Sequence, residues 1–423
     1  MLGLPNLPRK LPSRNWMIFW TLSATITGAI IYDRREKQRN IAKWRHAVEH
    51  LANEPLPGFG IAASLAQPRK LTIYLSSPPG DGLRVAQDHY TEYVKPILAA
   101  SGLDWEFVQG RREGDVRAVV AERVRKARRE QELGGEPDPD REPTRDELIE
   151  MHRKERGIEP YSGVRGDVVI GRHTWKEYIR GLHEGWLGPL TAPPLPEKVA
   201  DDAETSSPEE NKPAEEEAPK PKRPPQPRPY NTTNDYPVES LPLLAPNEFA
   251  PAAPIREPHL LGFLNTPTRL VRFFNRRALA DEIGREVAAV CLCTYREFRD
   301  QQQSFDSTSP TGSDDEMPQY EQEKELAWEE KDWVKTVWKD ADKKDDEIPE
   351  KIRPFPIVMD SRVASRMRRF ELLPEDEAHA KQIVVPEEEV EGWTKGKLRQ
   401  LYRWGVAKVT KEEKKTVLLE DYE

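Results

Sequence analysis

Hydrophobic positions are spread unevenly along this chain. From Asn15 to Tyr32 no charged residue occurs, and Ile18, Phe19, Leu22, Ile26, Ile30 and Ile31 recur among small residues. Arg9, Lys10 and Arg14 bracket the stretch on one side and Arg34, Arg35, Lys37 and Arg39 on the other. As a helix, Trp16 to Tyr32 covers about 26 Å, enough for a thin hydrocarbon core. A single transmembrane helix over 15–33 is expected, behind a basic, proline-rich leader (1–14), with Trp16, Trp20 and Tyr32 at its interfaces. The chain passes from Tyr32 into Asp33, Arg34 and Arg35 without a small-residue cleavage site, which favours an uncleaved anchor over a signal peptide. Ala24 and Gly28, one turn apart and flanked by Thr21 and Thr25, offer a small-residue face for a second helix, or simply small residues that a membrane helix tolerates.

After a juxtamembrane helix and linker (34–68), the pattern becomes that of an α/β domain over 69–190. Leu71 to Leu75 reads as a strand and Ser77-Pro-Pro-Gly-Asp-Gly82 as a turn. Tyr90, Val94, Ile97 and Leu98 recur at helical spacing, with Pro96 as a kink and Gly102 as a stop. Trp105 and Phe107 alternate in a second strand. Val116, Val119, Val120, Val124 and Ala127 then line one face of a charged helix. Beyond a polar insertion (131–162), Asp167 to Gly171 forms a third strand, followed by a helix through Trp175 to Leu182. This βαβαβα order implies a parallel sheet.

Sequence motifs bring two resemblances. Leu11-Pro-Ser-Arg-Asn-Trp-Met-Ile-Phe-Trp20, Ile31-Tyr-Asp-Arg-Arg-Glu-Lys37, Arg69-Lys-Leu-Thr-Ile-Tyr with Pro78-Pro-Gly-Asp-Gly82, and Tyr93-Val-Lys-Pro-Ile97 with the Ala-Ser-Gly-Leu-Asp104 stretch closely resemble the fifty-four-kilodalton Tim subunits of the mitochondrial inner membrane. That resemblance implies a non-enzymatic subunit of the carrier translocase, which inserts multi-spanning carrier proteins. It implies partners among the pore subunit, the small intermembrane-space chaperones and carrier precursors. It also implies a single-pass protein, N-terminus in the matrix and body in the intermembrane space, although the local charge count alone keeps the body on the inner side.

The order of elements is also similar to the N-terminal lobe of diacylglycerol and sphingosine kinases. Those enzymes need Gly-Gly-Asp-Gly-Thr after the third strand so that backbone amides approach the triphosphate. Here Gly171-Arg172-His173-Thr174 puts side chains in that place, which reads as a lost nucleotide loop. A lipid-kinase-like scaffold is expected, with a membrane-tethered lipid kinase or pseudokinase as the alternative function.

Composition changes the picture further along. With 39 prolines, 33% charged and 36% hydrophobic residues, much of the chain cannot be packed core. The Pro- and charge-rich stretch 191–245 is expected to be a disordered linker and 303–323 a disordered insertion. The region 246–423 is a less certain α+β second half. In it, Leu260 to Leu264 and Phe355 to Met359 read as strands, Leu270 to Val290 as one long helix or two joined ones, and Val363 to Leu373 as a basic helix. Arg269, Arg272, Arg276 and Arg277 sit beside Phe273 and Phe274, a stretch readable as a packing helix or as a contact for an anionic membrane. The last predicted helix, Gly392 to Val409, carries Trp393, Tyr402 and Trp404 as candidate partner contacts.

A formal net charge of −9 opposes nucleic-acid binding. Cys291 and Cys293 suit neither a disulfide framework nor a zinc site, and His173 and His183 lack a nearby nucleophile. No catalytic residue, metal site or cofactor is expected.

Overall fold

The computed structural model describes residues 13–54, 67–132, 145–158, 161, 163–193, 226–299, 320–339, 350–392 and 395–406. Its first element, α1 (Arg14–Val48), is one unbroken helix of 35 residues. Among the described residues no helix is long and apolar enough to cross a membrane, which corrects the expected transmembrane helix over 15–33 and, with it, the single-pass topology. The physical reason lies in what separates the isoleucines. Asn15, Thr21, Ser23, Thr25, Thr27 and Gly28 dilute the apolar run, and the helix continues past Tyr32 into Asp33, Arg34 and Arg35.

The two ends of α1 meet different surroundings. Trp16, Ile18, Phe19, Trp20, Leu22 and Ile31 are all exposed, whereas Asp33, Lys37, Ala42, Trp44, Ala47 and Val48 are buried. The buried end packs on α8 (Arg276–Leu292) through an approach that only glycine allows: a Cβ on Gly284 would sit 2.1 Å from Trp44 Cδ1. The Trp44 indole N–H donates to Asp281 Oδ1 at 2.9 Å, and Lys43 pairs with the same carboxylate at 2.5 Å.

Among the described residues the sheet has six strands in the order β2-β1-β3-β4-β6-β5. β1 (Lys70–Ser76) lies between β2 (Asp104–Gly110) and β3 (Asp167–Ile170), and β4 (Ala252–Ile255) follows, all parallel. β6 (Arg368–Phe370) joins β4 in parallel, and β5 (Tyr295–Glu297) closes the edge antiparallel to β6. The strands of 246–423 thus extend the sheet begun by 69–190. Leu260 to Leu264 and Phe355 to Met359 are not strands but loops and one 3-10 turn, and of the basic helix expected over Val363 to Leu373 only the first residues are helical (Ser361–Ala364), with Arg368–Phe370 a strand.

The crossover after β1 runs through α2 (Leu83–His89), a π-helical turn (Tyr90–Val94) and α3 (Lys95–Ser101). Pro96 explains the wide turn, since it has no N–H to return to the carbonyl four residues back. Gly102, at φ +70°, ends the element. The remaining crossovers are α4 (Asp115–Glu132) and α6 (Arg172–Leu187), with α5 (Arg145–Glu155) between them in sequence.

Helices α4 and α6 lie close because Gly181 and Gly185 have no side chains. A Cβ on Gly181 would meet the Arg117 carbonyl at 2.7 Å, and one on Gly185 would meet Val124 at 2.5 Å. Every residue of α6 is buried, charged ones included. Glu184 pairs with Arg117 and Arg125 of α4, and Arg180 donates to Asn231 Oδ1 at 2.9 Å and to the Tyr236 hydroxyl at 2.7 Å. Buried charges of this kind demand partners. They draw residues 226–245, the end of the expected linker, onto the body. Tyr320 to Glu323, the end of the expected insertion, is likewise packed, with Gln322 buried.

Candidate functional site

In an open parallel sheet the crevice for ligands lies at the carboxyl ends of the strands, where the strand order reverses. Here that point is between β1 and β3. Its walls are Ser76 and the turn after it, Gly171 to Thr174 at the start of α6, and Glu257 just beyond β4. Gly171 adopts φ +86°, and a Cβ on it would press to 2.6 Å from His173 and 2.7 Å from Glu257.

The expected lost nucleotide loop turns its side chains inward, each to a partner. His173 is completely enclosed, and its Nε2–H donates to the Ser76 carbonyl at 2.8 Å; burial holds its pKa down to about 3. Thr174 Oγ1 accepts from the Ser76 backbone N–H at 3.2 Å. The Arg172 guanidinium reaches Glu330 Oε1 at 3.0 Å and the Glu323 and Glu325 carbonyls.

The centre of the crevice belongs to Glu329. Its carboxylate accepts from the Arg172 backbone N–H at 2.9 Å and from the Glu257 N–H at 2.7 Å. A helix N-terminus with a neighbouring free amide is the arrangement that binds phosphate in related architectures, and here a side chain from the segment 320–339 occupies it. Burial raises the Glu329 carboxyl to about 8, even against the two amides that favour its charge. Glu257 is raised well above the usual range by burial and by Glu329 beside it, and its carboxyl oxygens have no hydrogen-bond partner among the described residues.

The first turn is covered as well. Gly80 sits at φ +87°, with Leu261 and Val334 side chains 3.2 Å from where its Cβ would be. Arg353 donates to the Ser77 carbonyl at 2.7 Å, and Lys176 reaches the Arg353 and Phe355 carbonyls at 2.8 and 2.5 Å. His259 bonds the Pro79 carbonyl at 3.1 Å. His183, the other histidine singled out by sequence, is buried far along α6; Nδ1 lies 2.8 Å from the Ile179 carbonyl, and Nε2 accepts from the Asp360 N–H at 2.9 Å. Burial lowers its pKa to about 4. Cys291 is a buried thiol raised to about 11 by burial.

The candidate contact residues lie elsewhere. Thr21 and Thr25 hydroxyls donate to the Ile18 and Leu22 carbonyls of their own helix, at 3.0 and 2.8 Å, and a Cβ on Gly28 would meet nothing within 4 Å. Ala24 is exposed on the same stretch. Trp16 and Trp20 stack on one another at 6.1 Å, and the Arg277 guanidinium lies over the Tyr32 ring at 5.1 Å. Residues 395–406 are helical, and Tyr402 and Trp404 are exposed on that helix. Tyr402 and Leu398 line an open groove of about 490 Å³ with Glu391, Lys395, Arg399 and Arg403. Trp393 lies outside the described residues, as do the leader to residue 12 and 194–225 of the linker. Sequence reasoning missed Glu257 and Glu329, the two acids that fill the crevice. The only signal available was the apolar spacing of Leu326, Trp333 and Val337, which marks the packed segment that delivers Glu329.

Comparison with known proteins agrees with the first resemblance. The family model for inner membrane protein import complex subunit Tim54 matches residues 1–213 and 196–370. The chain is 69% identical to the mitochondrial import inner membrane translocase subunit tim54 of Neurospora crassa, over 100% of this chain and 90% of that protein. It is 46% identical to the subunit of the same name from Aspergillus oryzae, over 92% and 91%, and 33% identical to that of Schizosaccharomyces pombe, over 85% and 93%. Neither the filled crevice nor these relatives gives support to a lipid kinase. Matched along most of its length and by full-length relatives, the chain belongs to the Tim54 family of inner membrane protein import complex subunits.

Proposed function

We propose that this chain is a non-enzymatic structural subunit of the mitochondrial inner-membrane carrier translocase, supporting insertion of multi-spanning carrier proteins, with its body in the intermembrane space. The observation that carries this reading is the pairing of a crevice filled by the chain's own acids with an apolar helical surface left uncovered. The first gives a substrate nowhere to sit in the sheet; the second gives partner subunits somewhere to bind.

Thr21, Ala24, Thr25 and Gly28 form the candidate face for the pore subunit, where small residues allow close backbone approach. Tyr402 and Trp404, with Trp393 just before their helix, are the candidate contacts for soluble chaperones or precursors, because exposed aromatic side chains supply large contact area at low entropic cost. The relatives' shared title, import inner membrane translocase subunit, supports the setting.

The test is native electrophoresis of mitochondria carrying a tagged copy, with mass spectrometry of the tagged band. Co-migration with the carrier-translocase pore and small chaperones is expected. A band containing the tagged chain alone would overturn the assignment.

A further inference from the structure

Helix α7 (Thr266–Phe273) lies on the surface with no residue buried. Arg272, its one half-buried residue, ties it to the body, pairing with Asp332 at 2.5 Å and lying 5.8 Å from the Trp328 ring centre. Its apolar side faces out. Leu270 is 57% and Val271 68% exposed, and in the turn just before them Phe263 is 90% and Leu264 80% exposed. Ordinary amphipathic helices bury that side.

The position of α7 says what the exposed side meets. The backbone N–H groups of Arg276 and Arg277, at the junction with α8, both donate to the Asp33 carboxylate at 3.2 Å. Asp33 is the first charged residue after the exposed apolar stretch of α1, so the junction of α7 with α8 is held at the end of that stretch, beside Tyr32. The border is basic. Arg34, Arg269 and Arg276 are exposed, Arg277 caps the Tyr32 ring, and no acidic residue occurs between Glu257 and Asp281. On the opposite flank of α1, about 200° around the helix from Asp33, Arg35 pairs with Glu391 at 3.1 Å, and Arg403 of the helix 395–406 pairs with Glu387 of that same short segment at 2.7 Å. That helix also points Leu398, Leu401 and Tyr402 outward.

We infer that α7, together with the turn at Phe263 and Leu264, is an interfacial element that lies in the headgroup layer of a bilayer bearing anionic phospholipids. Apolar side chains enter the acyl boundary, and Arg269, Arg276 and Arg34 meet the phosphates. This deepens the proposed function by naming the lipid surface against which the body rests, and it depends on the inner-membrane setting of that reading.

An environment-sensitive fluorescent amino acid placed at Val271 of the full-length chain reads the contact directly. Adding vesicles of phosphatidylcholine with about 30 mol% phosphatidylglycerol is expected to shift its emission to the blue. The double change R269Q/R276Q is expected to weaken the half-saturation of that shift roughly 25-fold, on the order of fivefold for each arginine. L270E alone is expected to weaken it roughly tenfold or more, because one large apolar contact is lost. All these positions are exposed, and unchanged thermal unfolding in the absence of lipid checks that the variants fold.

Emission that stays constant while the protein floats with the vesicles would overturn the proposal, as would an equal shift on pure phosphatidylcholine. A shift produced only by co-purified subunits in detergent would assign the face to a protein and also overturn it. Native electrophoresis of the probe-bearing chain with Leu270 intact separates the two readings: co-migration with other subunits while the Val271 probe stays silent on vesicles removes the lipid contact alone, whereas a solitary band removes the translocase assignment.

Discussion

Along α1, residues 16–32 carry no charge and, Ser23 apart, are exposed, while residues 33–48 hold the charges of the helix beyond Arg14 and pack on the body, Arg34, Gln38 and Arg45 apart. The uncharged half is the one left outside. In the second half, the polar groups that go inward find partners: Lys37 pairs with Glu92 and lies over the Tyr93 ring, Asn40 donates to the Arg277 carbonyl at 2.8 Å, and Lys43 and Trp44 share Asp281. In the first half, the hydroxyls of Thr21 and Thr25 bond their own helix, and Ile18 and Ile26 are exposed. The packed half belongs to the fold, and the exposed half is available for contacts outside this chain.

That contrast breaks most readily at Trp44. Replacing it with Ala empties a site against Gly284 and is expected to cost about 3–5 kcal/mol in denaturant unfolding. Trp20→Ala, on the exposed half, is expected to change stability by no more than about 0.5 kcal/mol. Equal losses would show that the first half is part of the core.

Glycines sharpen the same point. Gly284→Ala, Gly181→Ala and Gly185→Ala each push a methyl group into a neighbour, and calorimetry is expected to show losses of about 1–3 kcal/mol. Gly28→Ala meets open space and is expected to be neutral or stabilising by up to about 1 kcal/mol, the gain in helix propensity. Ala24→Leu with Gly28→Leu should leave the fold intact and reduce complex assembly after solubilisation; unchanged assembly would dismiss that face.

A smaller effect separates the filled crevice from the rest of the body. The Glu329 carboxyl, ordinarily near 4.5, is held at about 8 by burial, so between those values the folded state binds more protons than the unfolded one. Its contribution is complete below about 4.5 and is lost as pH rises to about 8. His173 and His183 act in the other direction: burial holds them at about 3 and about 4, so their contribution is complete above 6.5 and is lost as pH falls towards those values. Glu329→Gln is therefore expected to flatten the decline in melting temperature between pH 5 and 8, by at most about 1.4 kcal/mol per pH unit for one proton. A decline of unchanged slope would mean that Glu329 does not hold its proton in the crevice. The smallest effect belongs to Thr25→Ala, whose hydroxyl bonds only its own helix and whose loss is expected to shift unfolding by less than about 0.5 kcal/mol.

How much of this was legible in the sequence follows from how local each signal is. β1, β2, β3 and the helices between them announce themselves through runs such as Leu71 to Leu75 and the spacing of Val116, Val120 and Val124. Gly102 marks its helix end correctly because a left-handed residue ends a helix without reference to the rest of the chain. The later strands carry no such signal. Ala252-Ala-Pro-Ile255 and Arg368-Arg-Phe370 are three or four residues long and become strands only because β3 and β4 offer open edges. Leu260 to Leu264 looks more like a strand and is instead a turn that exposes Phe263. Helix α6 hides its reason in the opposite sense: Lys176, Arg180 and Glu184 find partners in the segments 226–245, 320–339 and 350–360, and Glu177 accepts from the Val116 N–H at the start of α4, all distant in sequence.

At the crevice, Gly171 to Thr174 shows from sequence alone that side chains stand where a phosphate loop needs glycine. What fills the space does not show, because Glu329 arrives from a distant segment. The span over 15–33 was read from the absence of charge, but absence of charge is not density of apolar side chains. Thr21, Ser23, Thr25 and Thr27 make that difference.

The most direct test of the account places a photoreactive residue at Ile26 and, separately, at Ala42, in a chain expressed in mitochondria, and identifies what each captures. Ile26 is expected to cross-link to other subunits of the import complex, and Ala42 only to this chain itself. Intermolecular adducts from Ala42, or none from Ile26, would contradict the division of α1 into a packed half and a contact half.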